Sequence, residues 1–194
     1  YQNKKTTEVS WFQAKPTISL ELIAALGLEK SAAIIDIGGG DSLLVDFLLA
    51  EGYSNITVLD ISEKAIARAK ERIGNQAHKV QWIVSDVLDF MPKNSFDVWH
   101  DRAAFHFITS QSNIAKYMEC CNSTLVANGT VLLGTFSKTG PKKCSGIPIV
   151  QYSEATLTSL FAPWFKKQSA LHHVHQTPFG TSQDFLFCSF KKQP

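Results

Sequence analysis

The sequence contains 194 residues, a length that suits one ordinary domain with a substantial hydrophobic core, and we predict a single domain over residues 1–194. Hydrophobic residues make up 44% of the chain and charged residues 19%, a balance that excludes an intrinsically disordered protein. The net charge is only +2 and the basic residues are dispersed, which argues against a nucleic-acid partner because phosphate binding needs a clustered basic face.

The cysteines and the apolar runs indicate the compartment. No cysteine pair has the C-x-x-C spacing of a zinc site or a redox pair, so we predict reduced thiols at Cys120, Cys121, Cys144 and Cys188. No apolar run approaches the roughly 20 residues that cross a bilayer, and residues 1–5 lead into polar sequence rather than an apolar signal segment. We therefore expect a cytoplasmic protein with no membrane partner. Its oligomeric state is open, and a monomer is the simplest expectation.

The first predicted elements are an aromatic leader and a helix. Trp11 either packs on the sheet or forms a lid over a bound cofactor, and its neighbour Phe12 is a candidate substrate contact. Thr17 to Leu26 has the apolar spacing of an amphipathic helix, and Gly27 is its predicted end.

Three short apolar runs then alternate with two helix-like stretches. The runs are Ala32 to Ile37, Ile56 to Ile61 and Val80 to Val84, and the stretches are Ser42 to Glu51 and Glu63 to Ile73. This alternation predicts β-α-β units with buried parallel strands. An acid lies at or just after the end of each run, at Asp36, Asp60 and Asp86. Because open α/β sheets bind ligands at the carboxyl ends of their strands, we expect these acids to meet at one crevice.

The second half of the chain continues the pattern and then changes it. Phe96 to His100 and Thr130 to Phe136 are predicted strands, separated by a helix from Ser112 to Val126. Lys138 to Gly146 lacks any period and is predicted to be a surface loop near the strand ends. The last two apolar segments, Lys167 to His175 and Phe185 to Phe190, are joined without a helix and predict an antiparallel hairpin.

The turn after the first strand is a glycine loop, Asp36 to Ser42. It carries Gly38, Gly39 and Gly40, whose lack of a Cβ lets backbone N–H groups approach a ligand closely. A dinucleotide site needs G-x-G-x-x-G, but Leu43 occupies the third glycine position and Asp41 lies where a pyrophosphate would bind. An acid there disfavours NAD, whereas Asp36 and this loop suit the sulfonium and ammonium groups of S-adenosylmethionine.

The acids after the second and third strands complete the predicted cofactor site. Asp60 is placed to accept both ribose hydroxyls, and Asp86 is placed to accept an adenine amino group. Their neighbours Ile61 and Val87 are predicted cofactor contacts as well. The alternative for either acid is a helix cap, which is common at such positions.

The strand order, the Asp36 to Gly40 loop, Asp60, Asp86 and the C-terminal hairpin resemble the class I S-adenosylmethionine-dependent methyltransferases over nearly the whole chain. The resemblance implies a Rossmann-like α/β fold: a seven-stranded mixed sheet, mostly parallel with an antiparallel C-terminal strand, and helices on both faces. It also implies S-adenosylmethionine as cofactor. The loop departs from the common D/E-x-G-x-G-x-G form, since Ser42 replaces the last glycine.

A longer motif narrows the resemblance. Residues 96–107, FDVWHDRAAFHF, resemble a subgroup of small, mostly bacterial methyltransferases with a WHDRAxFHF-type motif. Members of that subgroup tend to share a leader like residues 9–13, a G-P-x-x-C-S-G loop like residues 140–146 and an H-x-T-P-x-G tail like residues 175–180.

The motif after the fourth strand supplies the candidate catalytic residues. Asp101 or His106 is a candidate proton acceptor, and Arg102 is a candidate clamp for a carboxylate or an orienting partner of Asp101. The alternative is that Asp101 and Arg102 form a structural ion pair and that His106 is a satisfied buried histidine. Methyl transfer itself mainly requires that the acceptor be aligned and water excluded.

Two further features border the predicted acceptor site. Cys144 is a candidate substrate-loop residue whose pKa the adjacent Lys142 and Lys143 would lower if they lie close, and an ordinary thiol is the alternative. His175 adjoins Thr177 and Pro178 and is a candidate substrate contact. The histidines at 172, 173 and 175 lack a nearby carboxylate or cysteine, so we predict no metal site.

The sequence therefore favours an S-adenosylmethionine-dependent methyltransferase that acts on a small-molecule acceptor. A protein lysine methyltransferase and a non-catalytic cofactor-binding regulatory module are the alternatives.

Overall fold

The computed structural model describes residues 9–92 and 94–194, in which seven strands form one mixed sheet. In chain order, the seven strands of this sheet and the two strands of a separate small hairpin are β1 (Ala33–Ile37), β2 (Asn55–Asp60), β3 (Val80–Val84), β4 (Phe96–Arg102), β5 (Leu125–Phe136), β6 (Lys143–Cys144), β7 (Ile147–Pro148), β8 (Phe165–Gln176) and β9 (Ser182–Lys192). The sheet order is β3-β2-β1-β4-β5-β9-β8, and β6 and β7 pair separately. Strands β1 to β5 are parallel, and β9 runs antiparallel to both of its neighbours. The predicted fold class is confirmed.

In the described part of the chain, five α-helices flank the sheet: α1 (Thr17–Ala24), α2 (Leu44–Ala50), α3 (Glu63–Ile73), α4 (Gln111–Thr124) and α5 (Glu154–Phe161). Serine side chains cap three of them, because Ser62, Ser110 and Ser153 each accept a hydrogen bond from the backbone three residues on. Among the described residues, no helix is both long and apolar enough to span a bilayer.

Alternate residues of the central strands supply two separate cores, one on each face of the sheet. Ile34 belongs to a buried cluster with residues of α1, α2 and α3. Ile35, its neighbour, belongs to a second cluster with residues of α4 and α5. Because β1 is covered on both faces, its apolar run is continuous, which is why the sequence pattern located it well.

Two predicted segments were placed wrongly. The helix predicted to end at Val126 ends at Thr124, because Leu125 is already extended and pairs with Phe96 in the sheet. The pairing then shifts register before Val98 meets Thr130, and Asn128 has a φ of +64° within this irregular stretch of β5.

The second error concerns Lys138 to Gly146, which is not wholly a surface loop. Cys144 pairs with Ile147 in the β6–β7 hairpin and is only 2% exposed, because it packs in a cluster with Phe136 and Phe185. The C-terminal hairpin is confirmed, and its strands are longer than predicted, so only residues 177–181 connect them. The polar residues 1–5 lie outside the described part of the chain.

Candidate functional site

A cleft opens at the carboxyl ends of β1 and β4, where the sheet order reverses direction. It brings together many of the site residues that the sequence predicts, namely Trp11, Phe12, Asp36, Gly38, Gly39, Asp60, Arg102 and Cys144. Gln13, Pro16, Leu43 and His100 also line it and were not singled out as contacts from the sequence.

The glycine loop is folded tightly against the end of β2. The Gly38 amide donates to the Leu59 carbonyl at 2.7 Å, and the Gly40 amide donates to the Asp60 carboxylate at 2.9 Å. A Cβ on Gly40 would lie 2.7 Å from the Ala65 Cβ and 2.8 Å from Asp60 Oδ2, closer than any side chain tolerates. Glycine is therefore required at this position by packing within the chain, and the Gly40 amide is used by Asp60 rather than left for a ligand as the sequence argument predicted.

Asp60 ties the loop to the start of α3. Its Oδ2 accepts from Gly40 and its Oδ1 accepts from the Ser62 amide at 2.8 Å. Burial raises the pKa of Asp60, the two backbone donors oppose that rise, and the negative charges of Asp41 and Asp36 add to it. Each carboxylate oxygen retains a second lone pair, so Asp60 keeps the capacity to accept from a ligand hydroxyl.

The acid after β3 serves as a cap. Asp86 Oδ1 accepts from the Leu88 amide at 2.9 Å and begins the short 3-10 helix Val87–Asp89. Asp86, Val87 and Ile61, which the sequence predicts as cofactor contacts, are not among the residues that line the cleft. The Ile61 side chain is 69% exposed, which leaves an apolar surface beside Asp60 that a planar ring could cover.

Asp41 does not present a free negative charge to the cleft. The Arg68 side chain binds it through two hydrogen bonds, from Nε to Oδ1 at 2.8 Å and from Nη2 to Oδ2 at 2.5 Å. The argument from the sequence that Asp41 repels a pyrophosphate is therefore weakened, because a bidentate guanidinium neutralises the carboxylate.

A buried chain of side chains holds the first acid of the loop. His100 Nδ1 donates to Asp36 Oδ1 at 2.7 Å, and His100 Nε2 is paired with the Ser19 hydroxyl at 2.8 Å. All three residues are at most 4% exposed. Asp36 Oδ2 has no hydrogen-bond partner among the described residues and lies beside Gly39. The structure thus leaves one oriented carboxylate oxygen next to the glycine loop.

Arg102 is a half-buried cation beside this loop. Its Nη1 donates to the Trp11 carbonyl at 3.0 Å, and its guanidinium lies 4.7 Å from the centre of the Phe185 ring. Burial lowers the pKa of Arg102 to about 10, while Cys144 and Asp36 act in the opposite direction. Its Nε and Nη2 have no hydrogen-bond partner within residues 9–92 and 94–194.

Asp101 does not face the cleft, so its predicted role as a proton acceptor is corrected. It is fully buried, and its carboxylate accepts from the amides of Ala104 and Phe105 and from the Tyr117 hydroxyl. Burial raises the pKa of Asp101 to about 6, opposed by those hydrogen bonds. Because β4 continues to Arg102, successive side chains alternate between faces, and Asp101 points toward α4 while Arg102 does not. The alternative of an Asp101–Arg102 ion pair is wrong too.

His106 is buried in the short 3-10 helix Phe105–Phe107 and does not line the cleft. Its ring lies 4.7 Å from the Phe136 ring centre, and neither ring nitrogen has a partner in the described chain. Burial, followed by the charge of Arg102, lowers the pKa of His106 to about 3. His106 is therefore a neutral imidazole at physiological pH and a weak base, and the prediction that it is satisfied by hydrogen bonds is also wrong.

The leader and the tail meet near Arg102. His175 is 5% exposed, and its Nε2 donates to the Ser10 carbonyl at 2.9 Å. Burial lowers the pKa of His175, and the charge of Arg102 lowers it further. Trp11 and Phe12 line the cleft directly, so the structure brings the aromatic leader to the site.

The Cys144 thiol also lines the cleft, but it is not activated by its lysine neighbours. Burial raises the pKa of Cys144, opposed by a hydrogen bond to Ser145 and by the charge of Arg102. Lys142 and Lys143 do not contribute. In the same region, His172 contacts Asp184 and His173 packs on Phe187, and the described residues contain no cluster of three metal-ligand side chains.

The chain is similar to known methyltransferases in sequence. Residues 34–129, about half of the chain, match the family model described as a methyltransferase domain. Malonyl-[acyl-carrier protein] O-methyltransferase 2 of Ilyobacter polytropus is 29% identical over 111 residues, which are 57% of this chain and 41% of that protein. Trans-aconitate 2-methyltransferase of Mycobacterium tuberculosis is 30% identical over 95 residues, 48% of this chain and 34% of that protein. The chain thus spans well under two thirds of the length of these relatives.

Solved structures agree on the fold. The 1,6-didemethyltoxoflavin-N1-methyltransferase of Burkholderia thailandensis, bound to 1,6-didemethyltoxoflavin and S-adenosylhomocysteine, superimposes with a TM-score of 0.74 at 19% identity and covers 92% of this chain and 78% of that chain. The N-methyltransferase NodS of Bradyrhizobium japonicum, in complex with S-adenosylhomocysteine, superimposes with a TM-score of 0.73 at 17% identity and covers 96% of this chain and 93% of that chain. The described chain has the Rossmann-like fold of these enzymes.

Proposed function

We propose that this chain, whose residues 34–129 match the methyltransferase-domain family and whose sheet has the fold of those enzymes, is an S-adenosylmethionine-dependent methyltransferase. The observation that carries the proposal is the glycine loop: it is folded onto Asp60 and leaves the buried Asp36 Oδ2 without a partner among the described residues. We further propose a small-molecule acceptor, in keeping with the names of the relatives.

The loop fits a cofactor that carries positive charge. A buried carboxylate oxygen without a partner is costly, and an ammonium group supplies both the charge and the hydrogen bond that it lacks. The negative charge of Asp36 raises the pKa of Asp60, so the two acids lie close enough together to make the local electrostatic potential negative. In this proposal the cofactor's amino-acid ammonium binds Asp36, and its sulfonium lies over Gly38 and Gly39.

The adenosine half of the cofactor has matching residues at the ends of β2 and β3. Asp60 accepts from the ribose hydroxyls with the lone pairs that its backbone donors leave free. The exposed Ile61 side chain covers one face of the adenine, and Asp86 and Val87 border its edge. The cofactor supplies the electrophilic methyl group, and these residues bind and orient it.

The proposed acceptor site lies on the other side of the loop, where Trp11, Phe12, Arg102 and Cys144 line the cleft. Since Asp101 faces away and His106 is a weak base, we propose that the chain accelerates methyl transfer by alignment and by exclusion of water rather than with a strong general base.

Isothermal titration with S-adenosylmethionine tests the proposal. We expect wild-type protein to bind in the micromolar range and Asp36→Asn to bind at least tenfold more weakly. The matched control is Glu29→Gln, which removes an exposed acid just ahead of β1, at the opposite end of the strand, and is expected to bind as wild type does. An absence of wild-type binding at millimolar cofactor would reject the proposal.

A second experiment separates the acceptor classes. Incubation of the enzyme with cofactor labelled on its methyl group and a cell lysate is expected to label the low-mass fraction. Label confined to protein would replace the small-molecule acceptor with a protein side chain.

A further inference from the structure

Arg102 has an arrangement that the binding of cofactor alone does not explain. Its side chain is half-buried, one nitrogen is used by the Trp11 carbonyl, and the face of its guanidinium lies over the Phe185 ring. The other two donors, Nε and Nη2, are buried and have no partner in the described residues. These two N–H groups lie on the same edge of the guanidinium, the edge that binds a carboxylate through two parallel hydrogen bonds.

No described acid neutralises this cation. The ion pairs found in residues 9–92 and 94–194 do not include Arg102. Asp36, the acid that acts on Arg102 electrostatically, already accepts from His100. A buried guanidinium with neither a counter-ion nor full hydrogen bonding is destabilising unless a ligand supplies both.

The other groups around Arg102 favour an anion rather than compete for it. Burial and the charge of Arg102 lower the pKa of both His106 and His175, which disfavours a second positive charge that would compete for the anion. Cys144 is a buried thiol with a raised pKa and lines the same cleft. The negative charge that acts on Arg102 comes from Asp36, which already accepts from His100.

The position of Arg102 indicates which ligand carries the anion. The glycine loop, Asp60 and Asp86 lie at the ends of β1, β2 and β3, on one side of the cleft. Arg102 ends β4 and contacts Phe185 of β9, on the other side of β1 in the sheet. We propose that the methyl acceptor is a small molecule bearing a carboxylate, which binds edge-on to Nε and Nη2 of Arg102. This inference rests on the proposed function and specifies the substrate class of the same site.

Matched probes test the carboxylate without knowledge of the true substrate. Wild-type protein saturated with S-adenosylhomocysteine is titrated with benzoate and with benzamide, and with succinate and succinamide, and binding is followed by ligand-observed NMR. We expect at least one acid to bind at least tenfold more tightly than its amide. Equal binding of acid and amide in both pairs, or no binding of either acid, would overturn the inference.

Variants assign the preference to Arg102. Arg102→Gln is expected to abolish the preference for the acid, and Arg102→Lys to reduce it, because lysine keeps the charge but not the two parallel donors. Lys167→Gln, which removes a lysine paired with Glu154 on the surface of β8, is the control and is expected to keep the preference. A preference that survives in a folded Arg102→Gln protein would overturn the assignment, and the wild-type comparison of acid with amide decides the inference even if that variant does not fold.

The cofactor carries a carboxylate of its own, and a double-mutant cycle distinguishes the two sources. S-Adenosylhomocysteine and its decarboxylated analogue are titrated into wild type and Arg102→Gln. We expect the affinity ratio of the two ligands to agree within about threefold between the proteins, since Arg102 is reserved for the acceptor. A ratio that falls tenfold or more in Arg102→Gln would assign Arg102 to the cofactor instead. Failure of S-adenosylhomocysteine to bind wild type would reject the proposed function, whereas normal cofactor binding without a preference for acids would reject only the inference.

Discussion

The two sides of the cleft are built in different ways. The cofactor side, at the ends of β1, β2 and β3, is shaped by backbone hydrogen bonds such as those from Gly38 and Gly40. The acceptor side, at the end of β4 and the facing part of the β8–β9 hairpin, contains buried polar atoms that the described chain leaves without partners, on Arg102, His106 and Gln183. The comparison teaches that hydrogen bonds within the chain fix the backbone of the first side and leave one carboxylate oxygen, Asp36 Oδ2, for a ligand. On the second side it is the buried side chains themselves that lack partners among the described residues.

The largest expected effect tests whether the cofactor side depends on close backbone approach. Gly40→Ala introduces a Cβ that would collide with Ala65 and Asp60, so the loop must shift. We expect affinity for S-adenosylhomocysteine to fall by about 10- to 100-fold, which corresponds to the ~1–3 kcal/mol typical of overpacking. Isothermal titration calorimetry measures this change in affinity. The control is Gly27→Ala, where the space around the Cβ is open although φ is +61°, so this variant strains the backbone away from the cleft and cofactor affinity should not change. If Gly40→Ala bound the cofactor with wild-type affinity, the cofactor side would not depend on close packing of the loop backbone.

The next effect concerns the scaffold behind the acceptor side. Burial raises the pKa of Asp101 to about 6, so the native state keeps this proton to a higher pH than the unfolded chain does. The free energy of unfolding of wild type, relative to Asp101→Asn, should therefore decline as pH rises from about 4 to about 6, by about 2–3 kcal/mol in total.

Urea unfolding of both proteins across that pH range checks this expectation. Glu119→Gln, which removes an exposed carboxylate on α4, serves as the control. A constant difference between wild type and Asp101→Asn would mean that Asp101 is ionised as readily in the native state as in the unfolded chain.

A smaller effect should follow from the buried chain that joins the two sides. Ser19→Ala removes the hydroxyl that pairs with His100, and His100 in turn holds Asp36. We expect the free energy of unfolding to fall by about 1 kcal/mol, the usual contribution of one hydrogen bond. Thermal denaturation compares the stability of Ser19→Ala with that of Ser31→Ala, a substitution at an exposed position that should leave stability unchanged. Equal stability of the two variants would show that Ser19 does not support the site.

The smallest effect is expected where neither side is involved. Lys167 of β8 and Glu154 of α5 form an ion pair, with side chains 31% and 48% exposed. Because solvent screens such pairs, Lys167→Gln should change stability by less than about 0.5 kcal/mol and leave cofactor affinity unaltered. A marked loss of affinity would extend the cofactor side onto this surface.

Local sequence patterns were enough to predict most of the fold. β3 and α3 have the predicted bounds, β1 begins one residue later than predicted, and β2 is shifted by one residue at both ends. These strands were located because strands buried on both faces read as unbroken apolar runs. The glycine loop was located from a local signal too, because the run of glycines after the first strand reflects the backbone conformation of only a few neighbouring residues. The α4–β5 boundary was missed because Leu125 and Val126 continue the helical apolar pattern while pairing decides their conformation.

The acceptor side depends on contacts between distant parts of the chain, which local patterns do not record. Ser19 meets His100 across 81 residues, and no spacing rule links them. The orientation of Asp101 did have a signal: once β4 is extended to Arg102, alternation along the strand separates Asp101 from His100 and Arg102. The predicted strand stopped at His100, so that signal was lost.

The central claim is that the Asp36 to Gly40 loop binds the amino-acid end of S-adenosylmethionine. A crystal structure of the wild-type protein with S-adenosylhomocysteine tests it most directly. We expect the ligand's ammonium within hydrogen-bond distance of Asp36 Oδ2, its ribose at Asp60 and its adenine against Ile61. A ligand bound elsewhere, or an Asp36 Oδ2 that remains unpartnered in the complex, would contradict the account.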